Sequence, residues 1–541
     1  DPTSRSIQRS DAKALYEGGN TDIIRYPDPV QIWGSPHIYN NIKTFVNMGI
    51  DLGSGKEVYA FGNYAKRKVL GGFYFRNPDT RPGVFSSDGG ATRLVGDIAE
   101  AGGAARTCPV VAVPSSGSGA SSDAALQAII DDPNCWVFNE RFPGGFVPNF
   151  GGTVIDYGFT VGRMGTLRNN INWDLSGTIG YNDISFYMEQ TVNPSLGLST
   201  PTAFHPGGFT QIEQMINLDF NSPINQSYVD SLVLSYGFEY RNEEFTQTAG
   251  DQKSWTIGPY AAQGFGIGSN GFSGFNPRNS GVWNRDNIAA YVDFESEINS
   301  SVMMGLASRY ENYADFGSVT TYKLAGLYDY SSQLLFRGSL GTGFRAPTPG
   351  QSNVAKVSTV ADANGVLAQK GTISPTNPVA MEKGGKALGP EKSENYSLGM
   401  IIKLSQNFNI TVDYYKTIVR DRISKGDEKT LTQADIDKLV ALGIEDAGDL
   451  QTFSFFTNGF DSETNGVDIV ASYKQNLFSG KLTSTFSLNH NQIEVIHVDN
   501  PNVIGSERIR QLEEALPKTK VIIASRYDIG NWSLSGRSTY F

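Results

Sequence analysis

The stretch Arg285–Arg345, RDNIAAYVDFESEINSSVMMGLASRYENYADFGSVTTYKLAGLYDYSSQLLFRGSLGTGFR, alternates apolar and polar side chains with period two in four segments. In Ile288-Ala290-Val292-Phe294, Val302-Met304-Leu306, Leu324-Gly326-Tyr328 and Leu334-Phe336-Gly338-Leu340 one face is continuously apolar. The opposite face carries Asp293, Glu295, Arg309, Glu311, Lys323, Arg337 and Arg345. Charges at regular intervals along long strands suit a wall with hydrocarbon on one side and water or a polar filling on the other. A soluble sandwich reverses the logic, burying the apolar face in a core and leaving the charges outside. Periodicity alone does not choose between the two.

The connections favour the first. Phe294 and Val302 are joined by a short polar turn, as are Tyr328 and Leu334, whereas the other ends of the strands lead into stretches of roughly 35 to 45 residues, far beyond a hairpin loop. Tight turns at one rim and long loops at the other are the pattern of an outer-membrane β-barrel, with the turns in the periplasm and the loops outside the cell. The fold expected is all-β, an antiparallel transmembrane β-barrel of about sixteen strands.

Working outward, residues 1–35 are polar and irregular. Thr44-Val46-Met48-Ile50-Leu52 alternates against Lys43, Asn47 and Asp51, and Gly53-Ser54-Gly55 turns the chain into Val58–Tyr64, a hairpin. Residues 75–150 are rich in Gly, Ser and Pro and read as one very large external loop, with a short helix from Ala124 to Ile130 capped by Ser122. Strands resume near Val154 and Gly162, then at Asn172–Tyr181, Ile216–Phe220 and Leu232–Tyr240, the last with Glu239 and Arg241 facing inward. A loop from Gln252 to Asn284 is crowded with Gly and aromatics, and another runs from Thr348 to Lys392. Phe408-Ile410-Val412-Tyr414 rises with Asp413 on its inner side, a small helix is expected over 432–442, and Val467–Val470, with Asp468 inward, resumes the wall.

Three segments then carry a family resemblance. Arg285-Asp286-Asn287-Ile288-Ala289-Ala290-Tyr291, Arg309-Tyr310-Glu311-Asn312-Tyr313-Ala314-Asp315-Phe316-Gly317 and Arg337-Gly338-Ser339-Leu340-Gly341-Thr342-Gly343-Phe344-Arg345-Ala346-Pro347 resemble successive barrel motifs of TonB-dependent outer-membrane receptors. So do Asn172–Tyr181 with Thr191–Ser195, and Phe238–Glu244 with Ala249-Gly250-Asp251. The resemblance spans 1–541 and implies a receptor in the outer membrane of a Gram-negative bacterium, engaged in active uptake of a scarce nutrient of the siderophore-iron, cobalamin or oligosaccharide class. It also implies a barrel of about 22 strands behind a globular plug that meets the TonB complex. Neither plug motif nor TonB-contacting segment is found, so the chain is expected to be the barrel portion, lacking the plug and the last strands.

Composition agrees and excludes alternatives. No run of 18 apolar residues exists, so no helix spans a bilayer, and a mean hydropathy of −0.29 is no obstacle where apolar and polar residues cancel. A net charge of −11 leaves no basic stripe for nucleic acid. Cys108 and Cys135 both lie in the first long loop; a disulfide between them suits an oxidising compartment, two free thiols being the alternative. The four histidines, His37, His205, His490 and His497, are scattered, and no metal site, cofactor or catalytic motif is expected.

Two sets of functional residues are expected. Ligand capture falls to Trp255, Tyr260, Phe265, Phe272, Phe275, Arg278 and Trp283, where aromatics, Gly and a cation can grip a small molecule or oligosaccharide by stacking and hydrogen bonds. The inward charges Glu239, Arg241, Asp293, Glu295, Arg309, Glu311, Arg337, Arg345, Asp413 and Asp468 would line the lumen and hold a plug through hydrated ion pairs, while the outer face meets membrane lipid. The rivals are a passive porin or surface-binding barrel, and a soluble all-β glycan hydrolase, which needs paired carboxylates in a cleft.

Overall fold

The computed structural model describes residues 36–114, 124–361, 367–444, 447 and 452–541. The stretch 1–35 and the expected cap Ser122 lie outside them. In chain order the strands are β1 (His37–Gly53), β2 (Lys56–Gly72), β3 (Gly96–Asp97), β4 (Cys135–Trp136), β5 (Asn149–Thr166), β6 (Asn172–Glu189), β7 (Ala203–Pro223) and β8 (Ser231–Ala249). There follow β9 (Gly281–Asn299), β10 (Val302–Tyr313), β11 (Gly317–Ser331), β12 (Leu334–Arg345), β13 (Lys356–Ala361), β14 (Leu367–Thr372) and β15 (Glu391–Ser405). The last are β16 (Phe408–Lys425), β17 (Lys429–Thr430), β18 (Thr452–Ser454), β19 (Phe456–Leu477), β20 (Gly480–Val498), β21 (Thr519–Ile529) and β22 (Trp532–Tyr540).

Sixteen of these form one sheet in the order β1-β2-β5-β6-β7-β8-β9-β10-β11-β12-β15-β16-β19-β20-β21-β22. Each strand therefore pairs antiparallel with the neighbouring sheet strand of the chain, the simplest connection that satisfies backbone groups without a crossover. Register fixes the two faces. Leu306 lies opposite Phe294 and Leu324, while the next residue, Ala307, lies opposite Asp293 and Lys323. Apolar residues thus form rows on one face and charges rows on the other, as a period of two demands.

The apolar face is open. Ile288, Met304, Leu306, Leu324, Leu340 and Leu398 are all exposed, and Leu234, Phe336 and Val412 are part-exposed, with none in a protein core. Aromatics gather at its two rims: Tyr240, Tyr310, Tyr322 and Tyr396 on one side, and Trp173, Phe220, Tyr236 and Tyr328 toward the other, with Phe220 stacked on Tyr236 at 5.0 Å. Amphipathic rings at two levels with aliphatics between them are what a bilayer selects at its interfaces. Among the described residues no helix is long and apolar enough to cross a membrane.

The two rims differ in their connections. At one lie the turns 54–55, 167–171, 224–230, 300–301, 332–333, 406–407, 478–479 and 530–531. At the other run 73–148, 190–202, 250–280, 346–390, 426–455 and 499–518, with 314–316 the short exception. In the first hairpin Ser54 and Gly55 both have positive φ, the conformation a two-residue turn between twisted strands requires.

Several expected boundaries move. The strands near Val154 and Gly162 are one strand of 18 residues, and Ile216–Phe220 is the middle of a strand of 21. A bilayer needs only about 9–11 residues per strand, and the surplus rises on the long-loop side, where β19 opens with a run of buried residues. The stretch 348–392 is not plain loop. Within it lie β13 and β14, which join β18 and β17 in a four-stranded sheet of order β13-β14-β18-β17. The helix Gln433–Ala441, capped by Thr432 through the Asp435 amide, packs Leu439 into a core with Ile373, Val379, Phe453 and Phe455. A further helix, Ser506–Glu514, lies between β20 and β21, where none was expected.

Candidate ligand-capture loops and polar inner wall

The charged face is the inner one, because the long connections fold over it. Phe272 and Phe275 from the 250–280 connection pack on Phe186 and Phe209, whose side chains share a face with the charge rows.

Along that face the charges are bonded to one another. Glu213 lies 3.7 Å from Arg241, Arg241 2.8 Å from Glu239, Glu239 3.1 Å from Arg309 and Arg309 2.7 Å from Glu311, which also accepts a 2.7 Å bond from the Asn287 amide. Tyr291 donates to Asp219 (2.7 Å) and Tyr59 to Asp174 (2.9 Å). Arg337 grips Asp413 with two bonds of 2.8 and 2.6 Å, Arg345 pairs with Glu391 at 2.7 Å, and Asp468 accepts from Asn489 at 2.6 Å. Exposed pairs of this kind contribute little singly, but a half-buried chain of alternating sign fixes each member's rotamer and leaves a stranded charge if one is removed. Asp293 and Glu295 differ. They make no ion pair among the described residues and line, with Lys323, Arg337 and Leu327, a recess of about 380 Å³.

The seven aromatic and cationic residues expected to grip ligand have divided roles. Phe265, Phe272 and Phe275 are buried, at 1%, 7% and 3% exposure, and this corrects their assignment as ligand grips. Phe265 stacks on Trp136 at 4.5 Å and belongs to a core with Phe85, Phe138, Phe142 and Phe146 of the 73–148 connection. Tyr260 packs edge-on against the same indole at 4.9 Å. The physical reason is simple: Gly-rich loops of this length have little secondary structure and hold their shape by burying rings. Trp283 is in strand β9, not in the loop, and stacks on Phe245 at 6.0 Å. Trp255 is half-buried and donates to the Gly250 carbonyl at 3.2 Å. Arg278 is exposed near the end of the connection, just before β9. Its aliphatic stem covers Gly443, whose φ of +90° and lack of Cβ give it the room, while Asn279 donates to the Gly443 carbonyl at 3.0 Å.

Two further features hold the mouth together. Cys108 and Cys135 form a disulfide with Cα atoms 5.7 Å apart. Beside it the buried carboxylate of Asp97 accepts from the amides of Glu100 (3.0 Å), Thr107 (2.5 Å) and Cys108 (2.7 Å). Although desolvation opposes it, these donors hold the Asp97 carboxyl well below the usual carboxylate range. Arg76, fully buried, donates 2.5 Å to Asn270 and thereby clamps the 73–148 connection to the 250–280 one; burial, and then the like charge of Arg81, pushes its guanidinium down from the ordinary value. Among the described residues no group of His, Cys, Asp and Glu is placed to hold a metal ion.

Sequence reasoning overlooked Glu213, Asn287, Asp219 and Glu391 as partners in the wall. Glu213 and Asp219 share a parity within β7, a signal visible once that strand is extended to its full length. Glu391 and the β13–β18 sheet left no comparable trace, since their partners lie far along the chain.

Comparison with known proteins bears on this architecture. A family model described as TonB dependent receptor-like, beta-barrel, matches residues 115–541. Among solved structures, the siderophore receptor PirA from Acinetobacter baumannii is similar at 13% identity and a TM-score of 0.52, over 94% of this chain and 59% of its own. The RagAB peptide transporter is similar at 11% identity and a TM-score of 0.53, over 92% of this chain and 57% of its own. The FrpB iron transporter from Neisseria meningitidis gives 10% identity and a TM-score of 0.50, over 92% and 60%. The chain thus spans about three-fifths of the length of these structures. No curated protein matches it.

Proposed function

This chain belongs to the TonB-dependent receptor-like β-barrel family, and we propose that it forms the wall and external loops of a receptor that takes up a scarce nutrient with energy delivered through TonB. The family consists of transporters rather than enzymes and resides in the outer membrane of Gram-negative bacteria. Siderophore-iron, cobalamin and oligosaccharide are the ligand classes considered, and the peptide transporter among the similar folds widens that range. The observation that carries the reading is the interlocked mouth. The 73–148 and 250–280 connections share one aromatic core above an inner wall whose charges are mutually bonded, an arrangement that holds a capture surface in place over a lumen able to grip and release a polar filling. A passive pore has no need of a built roof. The loops bind first, at no energetic cost; a plug seated against Glu239, Arg309 and Asp293 then rearranges when TonB acts.

The test is uptake by cells expressing the full-length protein, with and without a functional TonB. Uptake that stops without TonB while surface binding persists supports the reading. Uptake that continues unchanged replaces it with the passive porin. Trp255 and Arg278 remain the candidates for ligand contact among the seven, and their joint replacement by Ala should weaken surface binding while leaving the barrel in the membrane.

A further inference from the structure

One sector of the inner wall carries no charge. Strands β1, β2, β5 and β6 are neighbours in the sheet, and residues opposite one another in their ladders share a face. The inner face is fixed there by Tyr59, which donates to Asp174, itself opposite Asp219 of the charged wall. Three successive rows cross it: Phe45-Asn63-Gly158-Gly180, then Asn47-Phe61-Thr160-Thr178, then Gly49-Tyr59-Gly162-Ser176. Charges return only in the bounding rows, with Lys43 and Asp156 on the loop side and Asp51, Glu57 and Asp174 on the turn side.

Aromatic rings stand in this sector beside a low floor. Phe45 and Phe61 take one diagonal of a square of side chains and Asn47 and Asn63 the other, so each ring has an amide opposite it and another along its own strand. Phe45 is 71% exposed and Phe61, one strand further in, 43%. Tyr59 lies nearly parallel to Phe61, its ring centroid 6.2 Å away, and covers Gly162, where a Cβ would collide with it. The next two strands present Gly158, Gly180 and two threonines whose hydroxyls bond each other at 2.9 Å. Both amides are exposed and bond to no other group among the described residues.

Rings exposed on a water-facing wall are uncovered apolar surface, and covering them is favourable. A charged ligand finds no partner in these rows. A sugar does, because the C–H face of a pyranose covers a ring while its rim hydroxyls meet neighbouring amides and hydroxyls. From Phe45 to Gly49 the rows extend roughly 14 Å along the strand, room for a short run of linked sugar rings.

We propose that Phe45, Phe61 and Tyr59, with Asn47 and Asn63, form a stacking platform on the lumen wall for a neutral oligosaccharide. This rests on the reading of the chain as a receptor and narrows its ligand to the sugar class. The platform lies on β1 and β2, in a different sector from Glu239, Arg309 and Asp293, so a plug seated against those residues leaves it open.

The purified full-length protein is titrated calorimetrically with maltohexaose, with cellohexaose and with trialanine, at low and at high salt. At least one sugar should bind with an affinity that salt leaves unchanged, since no charge is there to screen, and trialanine should not bind. Phe45→Ala with Phe61→Ala should weaken the sugar by roughly tenfold, whereas Phe45→Tyr with Phe61→Tyr keeps the rings and should keep the binding. Should the double Ala variant misfold, as judged by loss of the heat-dependent gel shift of the barrel, Asn47→Ala with Asn63→Ala takes its place and should weaken the sugar while the Tyr variant does not. Binding by neither sugar, trialanine binding as tightly as they do, affinity that falls with salt, or equal affinity in a folded double Ala variant overturns the platform. Sugar binding lost on replacing Trp255 and Arg278 but kept in the double Phe variant also overturns it, in favour of the external loops. Uptake that persists without TonB would refute the receptor reading and leave this binding result standing.

Discussion

The indole of Trp136 lies 4.5 Å from the ring of Phe265, nearly parallel to it at 27°. With the Tyr260–Trp136 contact and the Arg76–Asn270 bond, this stack joins the connections 73–148 and 250–280, which are far apart in the chain. Trp136 is only 4% exposed, so Trp136→Ala should cost the loop assembly about 3–5 kcal/mol, the usual penalty for emptying so large an aromatic site. The barrel, stabilised by its own ladders, should be unaffected. Limited proteolysis of the folded protein checks this: cleavage within 73–148 should accelerate while the heat-dependent gel mobility of the barrel stays as it was. Loops that resist protease as before would show that the stack is incidental.

The Cys108–Cys135 bridge closes a segment of separation 27, for which loop entropy predicts a contribution of about 3.5 kcal/mol. Reduction, or Cys108→Ser with Cys135→Ser, should therefore loosen the same connection and leave the sheet intact. Mass measurement of proteolytic fragments with and without reductant tests it, and identical fragment patterns would count against a stabilising role.

Asp97 gives this region a pH dependence. Its carboxyl is held below the unfolded value of about 3.9 by three backbone donors, and a depressed folded value means stability that is full above the unfolded value and lost as pH falls through the folded one. The loop should hold from neutrality down to about pH 4 and loosen progressively below it. Asp97→Asn should weaken the loop at neutral pH and flatten the acid response. Protease susceptibility measured with an acid-active enzyme across that window decides the matter; a wild-type response as flat as that of the variant would remove Asp97 as its cause.

Much of this architecture was legible because the membrane imposes period two over many residues. The rows through Leu306 and Ala307 are read directly from Arg285–Arg345, and the face of Asp413 and Asp468 follows in the same way. What escaped was non-local. Phe265, Phe272 and Phe275 look like ligand grips in a Gly-rich loop, and only the distant Trp136 and Phe186 turn them into core. The β13–β18 sheet assembles from two connections separated by a complete hairpin of the wall, so neither half signals it alone. Alternation puts the wall charges on one shared face, but which charge meets which depends on stagger between strands: Arg309 reaches Glu239 two strands away.

Glu239 is the centre of that pairing. It accepts from Arg241 and Arg309 while only 14% exposed, so Glu239→Ala leaves two half-buried guanidiniums without their shared partner. A loss of about 1–3 kcal/mol is expected, and Arg309→Ala alone should cost less, because Arg241 still serves Glu239. Urea unfolding of the protein refolded into liposomes measures both. Equal losses, or none, would mean that water in the lumen already screens the cluster.

The division of the two faces makes the sharpest prediction, because neighbouring residues should respond oppositely to the same substitution. Leu306 is 55% exposed on the apolar face between Phe294 and Leu324. Leu306→Arg puts a cation among lipid chains and should cost about 2–4 kcal/mol if the position lies near the bilayer midplane. Ala307, one residue on, lies on the inner face between Asp293 and Lys323. There Ala307→Arg gains a free carboxylate and meets water rather than hydrocarbon, so its cost should be small. Unfolding midpoints in liposomes, with the fraction of each variant recovered in the outer membrane of expressing cells, provide the comparison. If Ala307→Arg proved as damaging as Leu306→Arg, the inner face would be a packed apolar core and the wall would not separate lipid from water; if Leu306→Arg were harmless, the apolar row would not be facing lipid at all.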